Sequence, residues 1–153
     1  MTLPRLAALC ALALAAAPGT ALAGSHGAAK PGAHFIENWD MDGDGRVMPT
    51  EAAQKRAEVF AMFDQNEDGA LDAAEYDLFD ETRQADMAEN AGGHQKGPMQ
   101  RVNQGLQRDF NDTDGDGRVT ADEFTTRSDA WFAMIDRDGD GVLTPADFRP
   151  AKP

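Results

Sequence analysis

The sequence predicts an all-α protein made of four helix–loop–helix motifs in two duplicated halves. Three observations support this class. Residues 40–76 align with residues 112–148 without a gap, with 16 identities in 37 positions. Within each half an acidic loop occurs twice, beginning at Asp40 and Asp64 in the first half and at Asp112 and Asp136 in the second. The segments between these loops carry apolar residues at helical spacing, and none of them is typical of a strand of useful length.

Residues 1–23 predict a secretory signal peptide. Arg5 precedes an unbroken apolar run over residues 6–17, and a small-x-small site at residues 21–23 stands before Gly24. The apolar run is too short to span a bilayer of about 30 Å, so a membrane anchor is disfavoured. We therefore expect cleavage after Ala23 and an exported protein, either periplasmic or secreted.

The composition of the mature chain excludes a disulfide and disfavours some classes of partner. Cleavage removes Cys10, the only cysteine, so no disulfide can stabilise the exported protein. It also removes Arg5, the only charged residue of the signal, which shifts the formal charge from −13 to −14. So acidic a surface repels nucleic acid and anionic membranes. We expect a monomer that has no nucleic-acid partner and no membrane association after cleavage.

The rest of the chain is expected to form one compact domain over residues 35–150. Residues 24–34 are predicted to be a disordered lead-in. The first two motifs occupy residues 35–88, and the last two occupy residues 99–150. Residues 89–98 are rich in glycine and polar residues, which is typical of a linker.

Apolar spacing predicts the helices in order. One helix is expected to fill residues 49–64, between the first two loops, and an equivalent single helix is expected between the last two. A third covers residues 73–88, and a fourth covers residues 99–110 with Gly105 as a weak point. Capping boxes are predicted at Asp72 with Glu75 and at Thr120 with Glu123. The final exit helix can cover only residues 145–149 and is truncated by Pro150.

Four acidic loops share one template of twelve residues. Positions one, three and five are acidic or amide residues, position six is glycine, position eight is apolar and position twelve is acidic. The candidate metal ligands at positions one, three, five and twelve are Asp40, Asp42, Asp44 and Glu51; Asp64, Asn66, Asp68 and Glu75; Asp112, Asp114, Asp116 and Glu123; and Asp136, Asp138, Asp140 and Asp147. The seventh residues, Arg46, Ala70, Arg118 and Val142, are expected to offer their backbone carbonyls.

This spacing suits a hard divalent cation. A cation of calcium's size takes six to eight oxygens at about 2.3–2.6 Å. Alternate carboxylates on a curled loop can converge on one point if the chain reverses after the third, and the reversal favours positive φ at the sixth residue. A glutamate at the twelfth position can reach back from the next helix and bind through both oxygens.

The template resembles the EF-hand calcium-binding family of the calmodulin-like superfamily. With the signal peptide, the chain is similar to small exported bacterial members of that family. The resemblance implies up to four Ca²⁺ ions, held by the residues given above. Asp147 departs from the usual glutamate, so the fourth loop is predicted to bind calcium more weakly or to tolerate Mg²⁺. Met48, Asn66 and Asn111 also depart from the pattern.

The short spacing between loops predicts an unusual pairing. A helix over residues 49–64 would be about 22 Å long, which separates the first loop from the second. We therefore predict that loop two pairs with loop three, and loop one with loop four. Contact between Leu71 and Val119 is the signature of this arrangement, whereas contact between Val47 and Leu71 would contradict it.

The sequence favours a calcium buffer or sensor outside the cytoplasm. The alternative is a calcium-dependent protein-interaction module, dockerin-like or adaptor-like. A protein partner could bind an apolar Met/Phe surface, although filling the core is the more usual role for Met62, Met87, Met99 and Met134. No nucleophile–base set or phosphate loop is present, so we predict that the chain is not an enzyme. His34 and His94 are expected to be exposed. If cleavage follows Ala23, the new terminus at residues 24–26 resembles an amino-terminal copper and nickel motif.

Overall fold

A computed structural model describes residues 32–90 and 97–149. The predicted signal peptide, the copper motif, His94 and most of the predicted linker lie outside these ranges. The elements in chain order are α1 (Ala33–Trp39), α2 (Pro49–Phe63), β1 (Ala70–Leu71), α3 (Ala73–Asn90), α4 (Pro98–Gln104), α5 (Arg108–Asn111), β2 (Val119–Thr120), α6 (Ala121–Thr126) and α7 (Ser128–Ile135). The predicted all-α class is confirmed, with a small two-stranded sheet joining the loops.

Helix α2 is the single rod predicted between the first two loops. It begins with Pro49, whose fixed φ suits the first helical position, and it ends where the second loop begins at Asp64. Its inner face is formed by Ala52, Arg56 and Phe60, all buried. The rod holds loops one and two at its opposite ends, so these two loops cannot pair.

The equivalent helix in the second half is not continuous, contrary to our prediction. It divides into α6 and α7 at Arg127, where ψ is −5° and the helical geometry is tightened. Thr125 and Thr126, which are β-branched, immediately precede this point, and the hydroxyl of Thr126 donates to the carbonyl of Asp122 at 2.6 Å. Such back-bonding by threonine favours a bend, and it lies directly before the interruption.

Gly105 interrupts the next predicted helix, as expected from its weak helix propensity. α4 ends at Gln104 and α5 begins at Arg108. The interruption also has a packing reason, because a Cβ on Gly105 would overlap the indole ring of Trp131. The bare glycine backbone thus lets α7 approach α4 closely.

Short β contacts join the loops in the predicted pairs. β1 and β2 are antiparallel, with Leu71 opposite Val119. Val47 and Leu143 form an isolated antiparallel bridge and exchange two backbone hydrogen bonds of 2.9 Å. Loop two therefore pairs with loop three and loop one with loop four, which confirms the prediction.

The core lies between these helices and beneath the loop pairs. All four eighth-position residues are buried in it, together with an aromatic cluster. The rings of Phe35, Trp39 and Trp131 lie within 4.6–6.1 Å of one another, and they connect α1 to α7. Among the described residues, no helix combines the length and the apolar character needed to cross a membrane.

Both ends of the domain differ in detail from the sequence prediction. α1 begins at Ala33, so the last two residues of the segment predicted as a lead-in are helical. The ring of His34 lies 3.3 Å from Asp86 Oδ1 on α3, so it contacts a second helix. At the other end, the residues after Thr144 form turns rather than a helix, with Asp147 N–H bonded to the Thr144 carbonyl at 3.1 Å. The last motif is therefore truncated, as predicted.

Candidate metal centres

A helix enters each acidic loop. α1, α2, α5 and α7 end directly before Asp40, Asp64, Asp112 and Asp136, and each of these aspartates caps the preceding helix with its backbone N–H. The loops therefore start from fixed points on the scaffold. An entering helix also separates these loops from the dockerin-like alternative, which lacks one.

The first-position carboxylate organises each loop from inside. Asp40 Oδ1 accepts the N–H of Gly43 at 2.7 Å, and Oδ2 accepts the N–H of Gly45 at 2.7 Å. Asp112 and Asp136 accept the equivalent two N–H groups at 2.7–3.0 Å. The sixth-position glycines have φ between 82° and 85°, which confirms the predicted left-handed turn.

The twelfth-position carboxylate closes the loop. Glu51 accepts the N–H of Met41 at 2.9 Å through Oε1 and that of Met48 at 2.8 Å through Oε2. Glu75 and Glu123 accept the same two N–H groups of their own loops at 2.9–3.0 Å. Each carboxylate thus joins the start of its loop to the start of the following helix and faces the loop interior.

Three loops gather their acidic side chains into clusters. Carboxylate oxygens from positions one, three and twelve lie within 4.8 Å of one another in loops one, three and four. Oxygens bound to one calcium ion at about 2.4 Å are separated by no more than about 4.8 Å. The clusters consist of Asp40, Asp42 and Glu51; Asp112, Asp114 and Glu123; and Asp136, Asp138 and Asp147. An all-oxygen donor set of this size fits calcium.

The fifth- and seventh-position residues lie on the same curled loops. The side chains of Asp44, Asp116 and Asp140 each accept a backbone N–H from the seventh residue at 2.7–2.9 Å, which fixes the curvature. Arg46, Arg118 and Val142 are those seventh residues, and their predicted contribution is the backbone carbonyl. These positions remain predicted ligands.

Loop two has the same hydrogen bonds but a different charge. Asn66 occupies its third position and accepts the N–H of Asp68 at 2.8 Å, as an aspartate does in the other loops. Asp64 Oδ2 accepts the N–H of Gly69, and Asp68 accepts that of Ala70 at the seventh position. Its fourth residue, Glu67, has a φ of 56°, where the other loops use glycine. Loop two thus has one carboxylate fewer at its ligand positions and a strained residue.

Asp147 reaches its loop despite its shorter side chain. It accepts the N–H of Arg137 at 3.0 Å and that of Thr144 at 2.9 Å, which are the bonds made by the glutamates elsewhere. Only 1% of its surface is exposed. The tight turn that replaces the exit helix brings the backbone closer to the loop. The turn thereby compensates for the shorter side chain of Asp147.

Charge crowding and hydrogen bonding act in opposite directions on the carboxyl groups. The pKa of Asp42 is raised: the N–H of Asp44 lowers it, but burial and the carboxylates of Asp44, Glu51 and Asp40 outweigh that effect. The pKa of Glu123 is lowered to about 2, first by the N–H of Thr120 and then by the N–H and hydroxyl of Thr113, against a smaller effect of burial. The hydrogen bonds that close loop three therefore stabilise the charged form of its twelfth-position carboxylate.

One arginine links two loops. Arg118 Nη2, at the seventh position of loop three, donates to Asp68 Oδ2 of loop two at 2.8 Å. Asp68 is a predicted ligand, so its carboxylate already has a cationic partner. Sequence reasoning assigned only a carbonyl to Arg118, and the side-chain contact follows from the pairing of loops two and three.

A buried polar network, also missed from the sequence, lies behind loop three. Arg56 is fully buried and donates to the Gly105 carbonyl at 3.1 Å, to Asn111 Oδ1 at 2.6 Å and to the Phe124 carbonyl at 2.8 Å. Asn111 also donates to the hydroxyl of Tyr76 at 3.1 Å. The sequence signal was Arg56 itself, which shares a helical face with Ala52, Phe60 and Phe63. Asn111, which departs from the template, is its partner.

Comparison with known proteins agrees with the geometry of the loops. A family model described as "EF hand" matches residues 56–79, 110–126 and 129–149, which contain loops two, three and four. A protein of Oryza sativa subsp. japonica described as "Probable calcium-binding protein CML16" is 29% identical over 128 residues. That alignment covers 72% of this chain and 71% of the rice protein.

Proposed function

The chain belongs to the EF-hand family of calcium-binding proteins, and from this premise we propose an exported protein that buffers or senses calcium through four loops. The observation that carries the proposal is the convergence of the first, third and twelfth carboxylates in three loops. Loop two supports a fourth ion through the same hydrogen bonds with an amide in place of one carboxylate. The apolar stretch before Ala23 supports export.

Calcium also has a stabilising role in this proposal. Each loop holds up to four carboxylates at its ligand positions, which repel one another without a cation. Four calcium ions would change the formal charge of the mature chain from −14 to −6. Because calcium binds the folded loops and not the unfolded chain, it raises the free energy of unfolding.

Calorimetric titration of the mature protein with calcium tests the main proposal. We expect four calcium ions to bind. The fourth loop should have the lowest calcium affinity, and its ion should be displaced by magnesium before the others. Asp147→Asn should remove one ion from the stoichiometry, whereas Asp129→Asn, outside the loops, should leave it unchanged. A chelator should lower the melting temperature. A titration without saturable heat, or a melting temperature unaffected by chelation, contradicts calcium binding.

Export is tested separately by amino-terminal sequencing. Protein recovered from the periplasm or medium of the expressing cell should begin at Gly24. A chain that starts at Met1 and stays with the cytoplasmic fraction would show that the prediction of export is wrong, without affecting calcium binding. A mature terminus at Gly24 would also make the copper and nickel motif at residues 24–26 available for a Cu²⁺ titration.

A calcium-dependent adaptor is the second candidate, and one observation favours it. Three of the four methionines predicted to line a partner surface, Met62, Met87 and Met99, border one apolar cleft, and Met62 is 69% exposed. Met134 does not border this cleft. A sensor or adaptor should bind a hydrophobic dye more strongly with calcium than without, whereas a buffer should show no difference.

A further inference from the structure

The cleft between helices α1, α2, α3 and α4 is a second candidate binding site, separate from the loops. It encloses about 380 Å³, which is within the range of small-molecule sites. Phe63, Phe79, Val102 and the three methionines form its walls. None of the residues that border it belongs to a twelve-residue loop, so no predicted calcium ligand lines the cleft.

An incompletely paired cationic group faces this apolar space. Arg83 lines the cleft, and only 9% of its side-chain surface is exposed. Its Nη2 donates to Asp80 Oδ1 at 2.6 Å, but Nε and Nη1 are buried without a hydrogen-bond partner. A buried donor without an acceptor is destabilising, and more so when the group is charged. Arg83 therefore has two nitrogens, with three N–H groups between them, for an acceptor that the protein does not supply.

A second polar group in the cleft is also unsatisfied. Asn103, on α4, borders the cleft, and its Oδ1 is buried without a donor. Rotation of the amide about its last torsion exchanges this acceptor for two N–H donors. An oxygen-rich head group can therefore meet donors from α3 and from α4 within a mostly apolar cleft, whose lining also includes the charged residues Lys55 and Asp86.

These features together specify the chemistry of a ligand. An apolar pocket with a few polar groups positions a molecule that has one polar end. Arginine pairs most strongly with carboxylate oxygens, and burial strengthens that interaction. A cavity of about 150 Å³ accommodates benzene, so 380 Å³ has room for about fifteen carbon-sized atoms. We propose that the cleft binds a medium-chain aliphatic carboxylate, with its tail among the methionines and its head at Arg83.

Calorimetry with decanoate and 1-decanol tests the proposal on the mature, calcium-loaded protein. Both probes have the same chain length, and only decanoate can form charge-assisted hydrogen bonds. We expect decanoate to bind with a stoichiometry of one and decanol to bind at least tenfold more weakly. Trp39 borders the cleft, so tryptophan fluorescence should change with the same saturation curve.

Three variants connect the binding to the cleft. Arg83→Met should reduce decanoate affinity to that of decanol and leave decanol unchanged. Arg127→Met is the matched control, because Arg127 also has a buried unpartnered Nε but does not border the cleft. Its affinity for decanoate should stay at the wild-type value. Val59→Trp fills the cleft from α2 and should abolish binding of both probes, which keeps the test decisive if Arg83→Met does not fold.

Two results would overturn the proposal. One is the absence of saturable binding by decanoate. If an amphipathic peptide binds the cleft and decanoate does not, the cleft is a peptide groove and the proposal is wrong. The other is equal affinity for decanoate and decanol, or for wild type and Arg83→Met. Calcium stoichiometry is measured on the same samples, so loss of the loops' function is distinguished from loss of the cleft's.

Discussion

Arg118 connects the affinity of loop two to a residue of loop three. Its guanidinium holds Asp68, so a calcium ion in loop two must compete with an existing ion pair. Both side chains are nearly half exposed, and such pairs contribute about 0.2–1 kcal/mol. We expect Arg118→Ala to raise the calcium affinity of loop two by about two- to fivefold, measured from the Gly69 amide in an NMR titration.

Arg46→Ala is the control for this prediction. Arg46 occupies the same position of loop one, and among the described residues it takes part in no ion pair. Both substitutions remove one positive charge near a loop. Any gain in calcium affinity that the two variants share is therefore due to the lost charge and not to the ion pair with Asp68. Equal gains for Gly45 in Arg46→Ala and for Gly69 in Arg118→Ala would mean that the ion pair with Asp68 has no effect on affinity.

Tyr76 provides a pH-dependent signal from the interior. It is the only tyrosine of the chain, and burial is the main cause that raises its pKa to about 12. In the unfolded chain its pKa is about 10. Between these values the folded protein keeps the phenol proton that the unfolded chain loses. The contribution of Tyr76 to the free energy of unfolding should therefore be fully present below pH 10 and be lost as the pH rises from 10 to 12.

Absorbance at 295 nm measures this ionisation directly. The folded protein should titrate near pH 12, and protein in concentrated guanidinium chloride should titrate near pH 10. Coincident curves would show that the hydroxyl of Tyr76 is in contact with solvent, contrary to its hydrogen bond to the Leu106 carbonyl at 3.0 Å.

At the scale of elements, helix propensity and packing have opposite effects on a substitution of Gly105. Replacing a helical glycine by alanine usually stabilises a helix by about 1 kcal/mol. At this position the added Cβ would overlap the ring of Trp131, whose Nε1 donates to the Val102 carbonyl. Overpacking of this kind costs about 1–3 kcal/mol. We therefore expect Gly105→Ala to lower the free energy of unfolding, measured by urea denaturation in calcium.

A neighbouring substitution separates the two effects. Gln104→Ala lies at the exposed end of the same helix and should change stability by no more than about 0.5 kcal/mol. A gain in stability for Gly105→Ala would mean that α7 can move away from α4 without loss.

The contact between Arg56 and Asn111 joins α2 to α5. Arg56→Met removes the arginine donor from three buried oxygens. Among the described residues, only the Gly105 carbonyl of these three keeps another side-chain donor, Asn111 Nδ2 at 3.3 Å, so the substitution should cost about 3 kcal/mol or more. Asn111→Leu restores the apolar residue that the template expects. Because the two residues share a hydrogen bond, the double variant should lose less stability than the sum of the single variants, by about 1–2 kcal/mol. Additive losses in urea denaturation would show that the residues act independently.

The internal repeat explains why this pair escaped prediction. The alignment of the two halves places Arg56 on Ser128, and its extension towards the amino terminus places Trp39 on Asn111. The first half of the protein therefore has a tryptophan and an arginine where the second half has an asparagine and a serine. The helices and loop positions followed from spacing, since each carries its own periodicity. The exchange of partners could not be predicted, because it depends on packing between elements far apart in the sequence.

For the whole molecule, the loop pairs predict which calcium sites respond together. Glu51→Gln should weaken loop one, and loop four should weaken with it because Val47 and Leu143 share a β bridge. In an NMR titration, the amides of Gly45 and Gly141 should respond at higher calcium concentrations than in wild type.

A matched variant tests the other pair. Glu75→Gln should shift the responses of Gly69 and Gly117, since β1 and β2 join loops two and three. The assignment of pairs is contradicted if Glu51→Gln affects Gly69 more than Gly141. The spacing between the loops was enough to predict the pairing, because a helix of about 22 Å keeps the two loops at its ends out of direct contact.

The rod α2 has a consequence for the ancestry of this fold. Each half of the chain contains two loops that cannot contact each other, and each loop finds its partner in the other half. Loops one and three are equivalent in the repeat, as are loops two and four. Each pair joins one loop of each kind, since loop one pairs with loop four and loop two with loop three. A chain of half this length could satisfy both loops by binding a second copy of itself about a twofold axis. The present protein has the loop pairing of such a dimer, with the two halves joined in one chain.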